Sequence, residues 1–273
     1  MHIVVCVKQV PDTTDVRIDP ETGALVREGV PSILNPYCAH ACEEAIRLKE
    51  RYGGQVTVIC MGPPQAAEAL RDTIALGADR GVLVSSRAFA VADTFATSYT
   101  LSLAIKHAEQ EWGPVSLVLC GKQAIDGDTA QVGPGIARRL DLPQATYAVR
   151  VAELDLDGGQ IKVERRLEKG VETTALPLPC LLTCVEEMNE IRYASLPNLL
   201  RSLRYEPIVW GPEDINADVN KCGLKGSPTS VARVFAPPER EPGEILEGSS
   251  VADQVALLIE KLQERVGRAA PAA

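Results

Sequence analysis

Val115-Ser116-Leu117-Val118-Leu119-Cys120 runs without a break into Gly121-Lys122-Gln123-Ala124-Ile125-Asp126-Gly127-Asp128-Thr129-Ala130-Gln131-Val132-Gly133-Pro134. The stretch is an apolar run, a glycine, a polar loop and the opening of a helix. In a doubly wound sheet, ligands bind beyond the carboxyl ends of such strands, where the strand order reverses. The helix is expected to begin near Thr129 and to run to Leu140, before Pro143. Free backbone N–H groups and the helix dipole at that point favour an anion. Gly127 lets the backbone approach a phosphate, and Thr129 offers a hydroxyl. Lys122 can balance phosphate charge or be an ordinary solvated side chain. A plain connection is the competing reading: Asp126 and Asp128 cap the helix, while Gly121 and Gly127 serve turns. The spacing fits neither the dinucleotide glycine fingerprint nor a P-loop.

Outward from this stretch, short apolar runs alternate with longer amphipathic ones, as in a parallel sheet covered by helices. Strands are expected at Ile3–Val7, Gln55–Met61, Gly81–Ser85 and Val115–Cys120. A first helix opens at Asn35-Pro36, with Asn35 as side-chain cap, and stops at Gly53-Gly54. A second runs from about Pro64 to Leu76, before Gly77. A third starts at Asp93 or Thr94 and ends at Gly113-Pro114. Two further strand ends carry turn-rich loops, Cys6–Asp12 and Met61–Pro64. After Thr146, Tyr147–Leu156 and Gln160–Arg166 flank Asp157-Gly158-Gly159 and read as a β-hairpin. Glu172–Leu176 and Cys180–Val185 can add strands. The expected α/β domain covers residues 1–206, with the hairpin extension at about 146–176. Residues 207–273 read as an arm: Pro207–Gly248 is rich in Pro and Gly, and a helix follows at Val251–Val266. Arg268–Ala273 reads as a frayed tail.

Composition narrows the function. Apolar residues are 45% and aromatics 4%, so the core is aliphatic, which suits buried parallel strands. The net charge of −9 argues against nucleic acid or an anionic membrane as main partner. No apolar run approaches the roughly 20 residues of a transmembrane helix. The opening Met1–Cys6 reads as a strand rather than a signal peptide, so export is not expected. Of the 8 cysteines, Cys6, Cys60, Cys120, Cys180 and Cys184 sit in strand-like runs. Cys38 and Cys42 have no second pair at metal-ligand spacing, so buried thiols in a reducing cytoplasm are expected and no metal site is.

Gly121–Asp126 (GKQAID), Asn35-Pro36-Tyr37-Cys38 with Glu43-Glu44-Ala45, Met61-Gly62-Pro63, Gly77–Gly81 and Asn189–Asn198 occur in order across residues 3–200. Together they resemble the β subunit of electron-transfer flavoproteins. The resemblance implies a sheet of the adenine-nucleotide-binding type and a heterodimer with an α subunit, on which the C-terminal arm packs. Carried over by position, the pocket includes Cys6, Asn35, Pro36, Tyr37, Cys38 and Met61. Gly121, Lys122, Gln123, Ala124, Ile125, Asp126, Gly127, Asp128, Thr129, Ala130, Gln131 and Val132 wrap the phosphates.

The family's ordinary branch holds AMP in this pocket, whereas the electron-bifurcating and nitrogen-fixation branch holds FAD. Gly127, where AMP-binding relatives usually carry a bulkier acidic residue, resembles the second branch. So does Val91–Ser98, whose Asp93, Thr94 and Thr97 would serve the longer cofactor. For Asp93 and Thr94 the plain reading is a helix N-cap. In that branch NADH is the electron donor. The acceptors are ferredoxin or flavodoxin and, through the α-subunit flavin, an acyl-CoA dehydrogenase or quinone oxidoreductase. No catalytic acid, base or nucleophile is nominated. The segment 183–196 resembles the loop that partner dehydrogenases grip, with Glu187, Met188 and Asn189 as docking residues and Met188 as apolar anchor. A plain AMP-binding subunit and an ATP-binding stress-type or adenylating protein of the same fold remain the rivals.

Overall fold

The computed structural model describes residues 1–12, 31–232 and 243–269. In chain order these form β1 (His2–Val7), β2 (Gln9–Pro11), β3 (Ser32–Leu34), α1 (Pro36–Tyr52), β4 (Gln55–Met61), α2 (Ala67–Leu76), β5 (Arg80–Val84) and α3 (Thr94–Trp112). There follow β6 (Leu117–Gly121), α4 (Val132–Leu140), β7 (Gln144–Asp155), β8 (Gln160–Leu167), β9 (Gly170–Pro177) and β10 (Cys180–Cys184). The last elements are α5 (Leu196–Leu203), β11 (Ile208–Trp210), α6 (Gly223–Gly226) and α7 (Val251–Ala269).

Nine strands pair in the order β11-β5-β4-β1-β6-β10-β7-β8-β9. From β11 to β7 all neighbours are parallel. The β7–β8–β9 end is antiparallel and forms the expected hairpin extension. The chain steps from β1 outward to β4 and β5, then crosses back to place β6 on the other side of β1. The order therefore reverses between β1 and β6, where Cys6 and Cys120 are register partners near the strand ends. In open α/β sheets that crevice is where ligands bind.

Every residue of β1 is buried, as for a strand covered on both faces. Its side chains divide by alternation: Ile3, Val5 and Val7 join the core with α1 and α2, while Val4 and Cys6 join the core with α3 and α4. All eight cysteines are buried free thiols. Helices α2 and α3 stop at Gly77 and Gly113, whose φ angles of +130° and +95° a helix cannot continue.

The start of the expected arm lies elsewhere than the sequence suggested. Ile208–Trp210 pairs with Val82–Val84 at the sheet edge, and Trp210, Ile215 and Cys222 are buried in the core. Trp210 stacks on Trp112 with centroids 5.5 Å apart, and His107 meets its edge at 4.6 Å. A three-residue strand carries no readable periodicity; the open backbone of β5 recruits it. The chain divides into units Met1–Val234 and Phe235–Ala273. In the second unit α7 carries Val255, Leu258, Leu262 and Val266 along its length. It continues through Arg268 to Ala269, beyond the expected onset of fraying, and residues 270–273 lie outside the described ones. Residues 233–242 of the expected Pro/Gly-rich segment also lie outside them. Among the described residues, no helix is long and apolar enough to cross a membrane.

Candidate functional site

The loop after β6 is held from below by α1. A Cβ at Gly121 would stand 2.8 Å from the backbone of Tyr37 and Cys38, so only glycine lets the first turn of α1 lie against the end of β6. Asn35 was expected to cap α1, yet its side chain makes no cap hydrogen bond. Instead, at 1% exposure, its amide turns into the loop. Nδ2 donates to the Gln123 carbonyl at 2.9 Å, and Oδ1 accepts the Ile125 N–H at 3.1 Å. The Cys38 N–H that a capping side chain could bind goes to the Asn35 backbone carbonyl at 2.8 Å, which leaves the amide free for this role. Lys8 adds an ion pair to Asp126 at 2.7 Å, a contact between positions far apart that had no sequence signal.

Within the loop, Ala124 accepts the N–H groups of Gly127 and Asp128, and the Gln123 side chain bonds that of Asp128. Asp128 and Ala130 adopt left-handed conformations, each with φ of 54°. Thr129 is exposed and lies before α4, which begins at Val132; Thr129 is therefore not in the first helical turn as expected. The two left-handed residues explain the delay, because the chain cannot enter a right-handed helix until it has passed them. Asp126 and Asp128 do not cap α4 either: its N-cap is Gln131, and no side-chain cap bond is present. Pro134 has no N–H, so the first N–H groups of α4 are those of Val132 and Gly133, and no side chain caps them, as an anion site requires.

Packing sets where that helix starts. A Cβ at Gly133 would stand 2.6 Å from Thr183 Cγ2, and one at Gly135 would stand 2.8 Å from Ser98. Arg139 brackets the same junction, donating to Ser98 Oγ and to the Phe95 carbonyl. The Gly133-Pro134-Gly135 spacing was the available signal for this close approach. Gly133→Ala is expected to push α4 off β10 and to lower stability by about 1–3 kcal/mol, the usual cost of overpacking. Unchanged thermal unfolding would refute that.

Other expected pocket residues divide. Cys6 and Met61 stand at the ends of neighbouring strands, Cys6 buried and Met61 partly so. Cys120, hydrogen-bonded to Cys6 and buried, has its thiol pushed up, and burial pushes Cys38 up and Cys60 to about 12. Cys38, Cys60 and Cys120 are therefore neutral walls rather than nucleophiles. Thr94 Oγ1 donates to Gln131 Oε1 at 3.0 Å and joins α3 to the loop. Asp93 is committed elsewhere: one carboxylate oxygen caps Phe95 and Ala96, the other accepts from Thr229. Burial pushes its carboxyl up, but the Ala96, Thr229 and Phe95 donors outweigh that and hold it below the ordinary value. The N–H of Thr97 is used by the Asp93 carbonyl. Lys122 lies over the rings of Tyr37 and Tyr147, 5.4 and 5.3 Å from their centroids.

Beyond β10, the docking reading needs correction. Met188 is 7% exposed and belongs to the core packed against the sheet, so it is not a free anchor. Glu187 pairs with Arg166. Asn189 is hydrogen-bonded to α1. The exposed apolar side chains come later: Tyr193 at 98%, Leu196 at 68%, Leu200 at 50% and Leu203 at 72%. Burial cannot be read from one Met among glutamates, because it depends on which way the short helical turn Glu186–Met188 faces.

A doubly wound sheet whose strand order reverses between β1 and β6, with a glycine-bearing loop and a helix start without a side-chain cap beyond β6, is the architecture in which proteins of this class hold nucleotides. The electron transfer flavoprotein domain family matches residues 22–202. Protein FixA of Azorhizobium caulinodans is 49% identical over 95% of this chain and 93% of its own. The caffeyl-CoA reductase-Etf complex subunit CarD of Acetobacterium woodii is 48% identical over 97% and 99%. The electron transfer flavoprotein subunit beta of Thermoanaerobacterium thermosaccharolyticum is 47% identical over the same shares. The chain belongs to the electron transfer flavoprotein family, as a β subunit of the FixA type. The rival reading as a stress-type or adenylating protein falls away.

Proposed function

We propose that this β subunit holds FAD in the crevice between β1 and β6 and, paired with its α subunit, takes electrons from NADH. The observation that carries this reading is the loop at Gly127. No atom lies within 4 Å of where its Cβ would be, and α4 opens beside it without a side-chain cap. That leaves room and unpaired N–H groups for a pyrophosphate. Cys6, Met61 and the Asn35–Cys38 turn would wall the adenine, and Thr94, Gln131 and Thr97 lie toward the longer half. The relative named as part of a caffeyl-CoA reductase-Etf complex and those named FixA support the same branch.

Bound there, FAD would supply a two-electron acceptor for NADH hydride able to part with its electrons singly; the acceptors proposed are ferredoxin or flavodoxin and, through the α subunit, an acyl-CoA dehydrogenase or quinone oxidoreductase. The chain's own part is to bind, to orient and to exclude water. Docking of the high-potential partner is assigned to the segment after β10, through Tyr193, Leu196 and the exposed face of α5.

Flavin extraction from the purified heterodimer is expected to yield two FAD. One FAD and one AMP would install the AMP-binding reading, which the commitment of Asp93 to its own cap favours. Gly127→Asp tests the loop directly. The residue has space and no left-handed φ, so the fold should tolerate it. A carboxylate added beside a bound pyrophosphate, at an effective dielectric of about 20, costs on the order of 2 kcal/mol. Flavin affinity on this subunit should fall roughly thirtyfold. Unchanged flavin content at unchanged melting temperature would reduce Gly127 to a turn residue.

A further inference from the structure

Two carboxylates on α1 are buried although nothing in the nucleotide site uses them. Glu43 is 1% exposed and Glu44 9%. Most of their partners come from residues 189–192, nearly 150 positions further along the chain. Arg192 reaches Glu43 through Nε at 2.8 Å and Nη2 at 3.1 Å. The same guanidinium grips Glu50 through Nη1 at 2.5 Å and Nη2 at 3.0 Å. Arg47 completes the shell, donating to Glu43 at 2.6 Å and to the Glu190 carbonyl at 2.6 Å. Asn189 donates to Glu44 at 3.1 Å and to the His40 carbonyl at 3.0 Å, and its Oδ1 faces His40 Nδ1 at 3.1 Å.

Apart from the Arg47–Glu43 pair within α1 and the Arg192 grip on Glu50 beside it, these contacts bind Glu43, Glu44 and their neighbours on α1 to Asn189, Glu190 and Arg192, between β10 and α5 and just before the exposed Tyr193 and Leu196. A buried carboxylate is tolerated only when paired and hydrogen-bonded, and breaking such a pair is far costlier than breaking a surface one. The stretch is therefore fastened to α1 by its costliest contacts. Helix α1 is also the element whose first turn lies against the nucleotide loop, through Tyr37, Cys38 and the preceding Asn35.

We propose that Arg192, together with Asn189, is a positioning residue that ties the 189–203 docking segment to Glu43 and Glu44, so that one rigid helix sets both the nucleotide loop and the docking surface. The assignment rests on the docking reading given above. It adds that the exposed apolar side chains are held in a fixed pose before the partner arrives, and preorganisation of that kind lowers the cost of association.

The test uses the complete heterodimer with Arg192→Gln, Arg192→Lys, Glu43→Gln, the Arg192→Gln/Glu43→Gln pair, and Leu196→Asp. Hydrogen exchange over 189–203 reads the tether. Separate assays with a purified acyl-CoA dehydrogenase and a purified quinone reductase read KM and kcat for the acceptor, and extracted flavin reads the fold. Arg192→Gln should speed exchange over 189–203 by about tenfold or more, since its charge-assisted hydrogen bonds to Glu43 and Glu50 are lost. Acceptor KM should rise by about the same factor, with kcat and flavin content unchanged. Arg192→Lys should fall between, because an ammonium cannot span two carboxylates in a fork. The double variant should be less impaired than the two single losses combined. Unchanged exchange over 189–203 would overturn the tether. Faster exchange with unchanged KM in both Arg192→Gln and Leu196→Asp would overturn the docking reading beneath it. Loss of flavin along with KM would make the network plain scaffolding and overturn the positioning role.

Discussion

Asn35→Ala is expected to release the nucleotide while leaving the sheet intact. The substitution strips the amide from beneath the loop and leaves the Gln123 carbonyl and the Ile125 N–H without their partners. The two bonds are half-buried and together contribute about 1–3 kcal/mol, enough to let the loop leave this conformation when both are lost. Lys8–Asp126 cannot hold it alone, being a half-exposed ion pair of the kind worth about 0–1 kcal/mol. Adenine nucleotide released on denaturing the heterodimer should fall to a small fraction of wild type. Amide exchange should rise at residues 122–128 and stay low in β1 and β6. Full nucleotide content in Asn35→Ala would mean that the loop is held by its own turns, and that Asn35 is merely buried.

The second large effect is a contrast of two side chains on the stretch after β10. Met188→Ala removes a side chain 7% exposed and packed in the core, and should destabilise by about 3 kcal/mol, within the range for buried Met truncation. For a chain of this size that is a drop of roughly 6–12 °C in melting temperature. Electron transfer to the partner, measured below the transition, should be spared. Leu196→Asp, at a side chain 68% exposed, should do the reverse: little change in melting and a loss of coupling to the acceptor. Loss of coupling with no loss of stability in Met188→Ala would restore Met188 as the anchor and undo its assignment to the core.

What could be read from the chain alone was whatever depends on neighbours in sequence. Gln55–Met61 is a strand from end to end as expected, because the six residues after Gln55, with no polar interruption other than Thr57, suit a buried parallel strand. Gly77 and Gly113 end α2 and α3 where expected, since a positive φ is a local demand. Asp157-Gly158-Gly159 lies at the hairpin turn for the same reason. The order of the motifs was enough to place the chain in its family. Tertiary structure decided what depends on residues brought from afar. Asn35 caps nothing because Gln123 and Ile125 offer its amide better partners across 88 and 90 positions. Asp93 serves its own helix and Thr229 rather than the open crevice. Ile208–Trp210 is a strand because β5 had an open edge. Met188 and Leu196 are both apolar residues near glutamates and arginines in sequence. Which of them is open to solvent was settled by burial, a property of how the segment lies on the rest of the fold and not of its own composition.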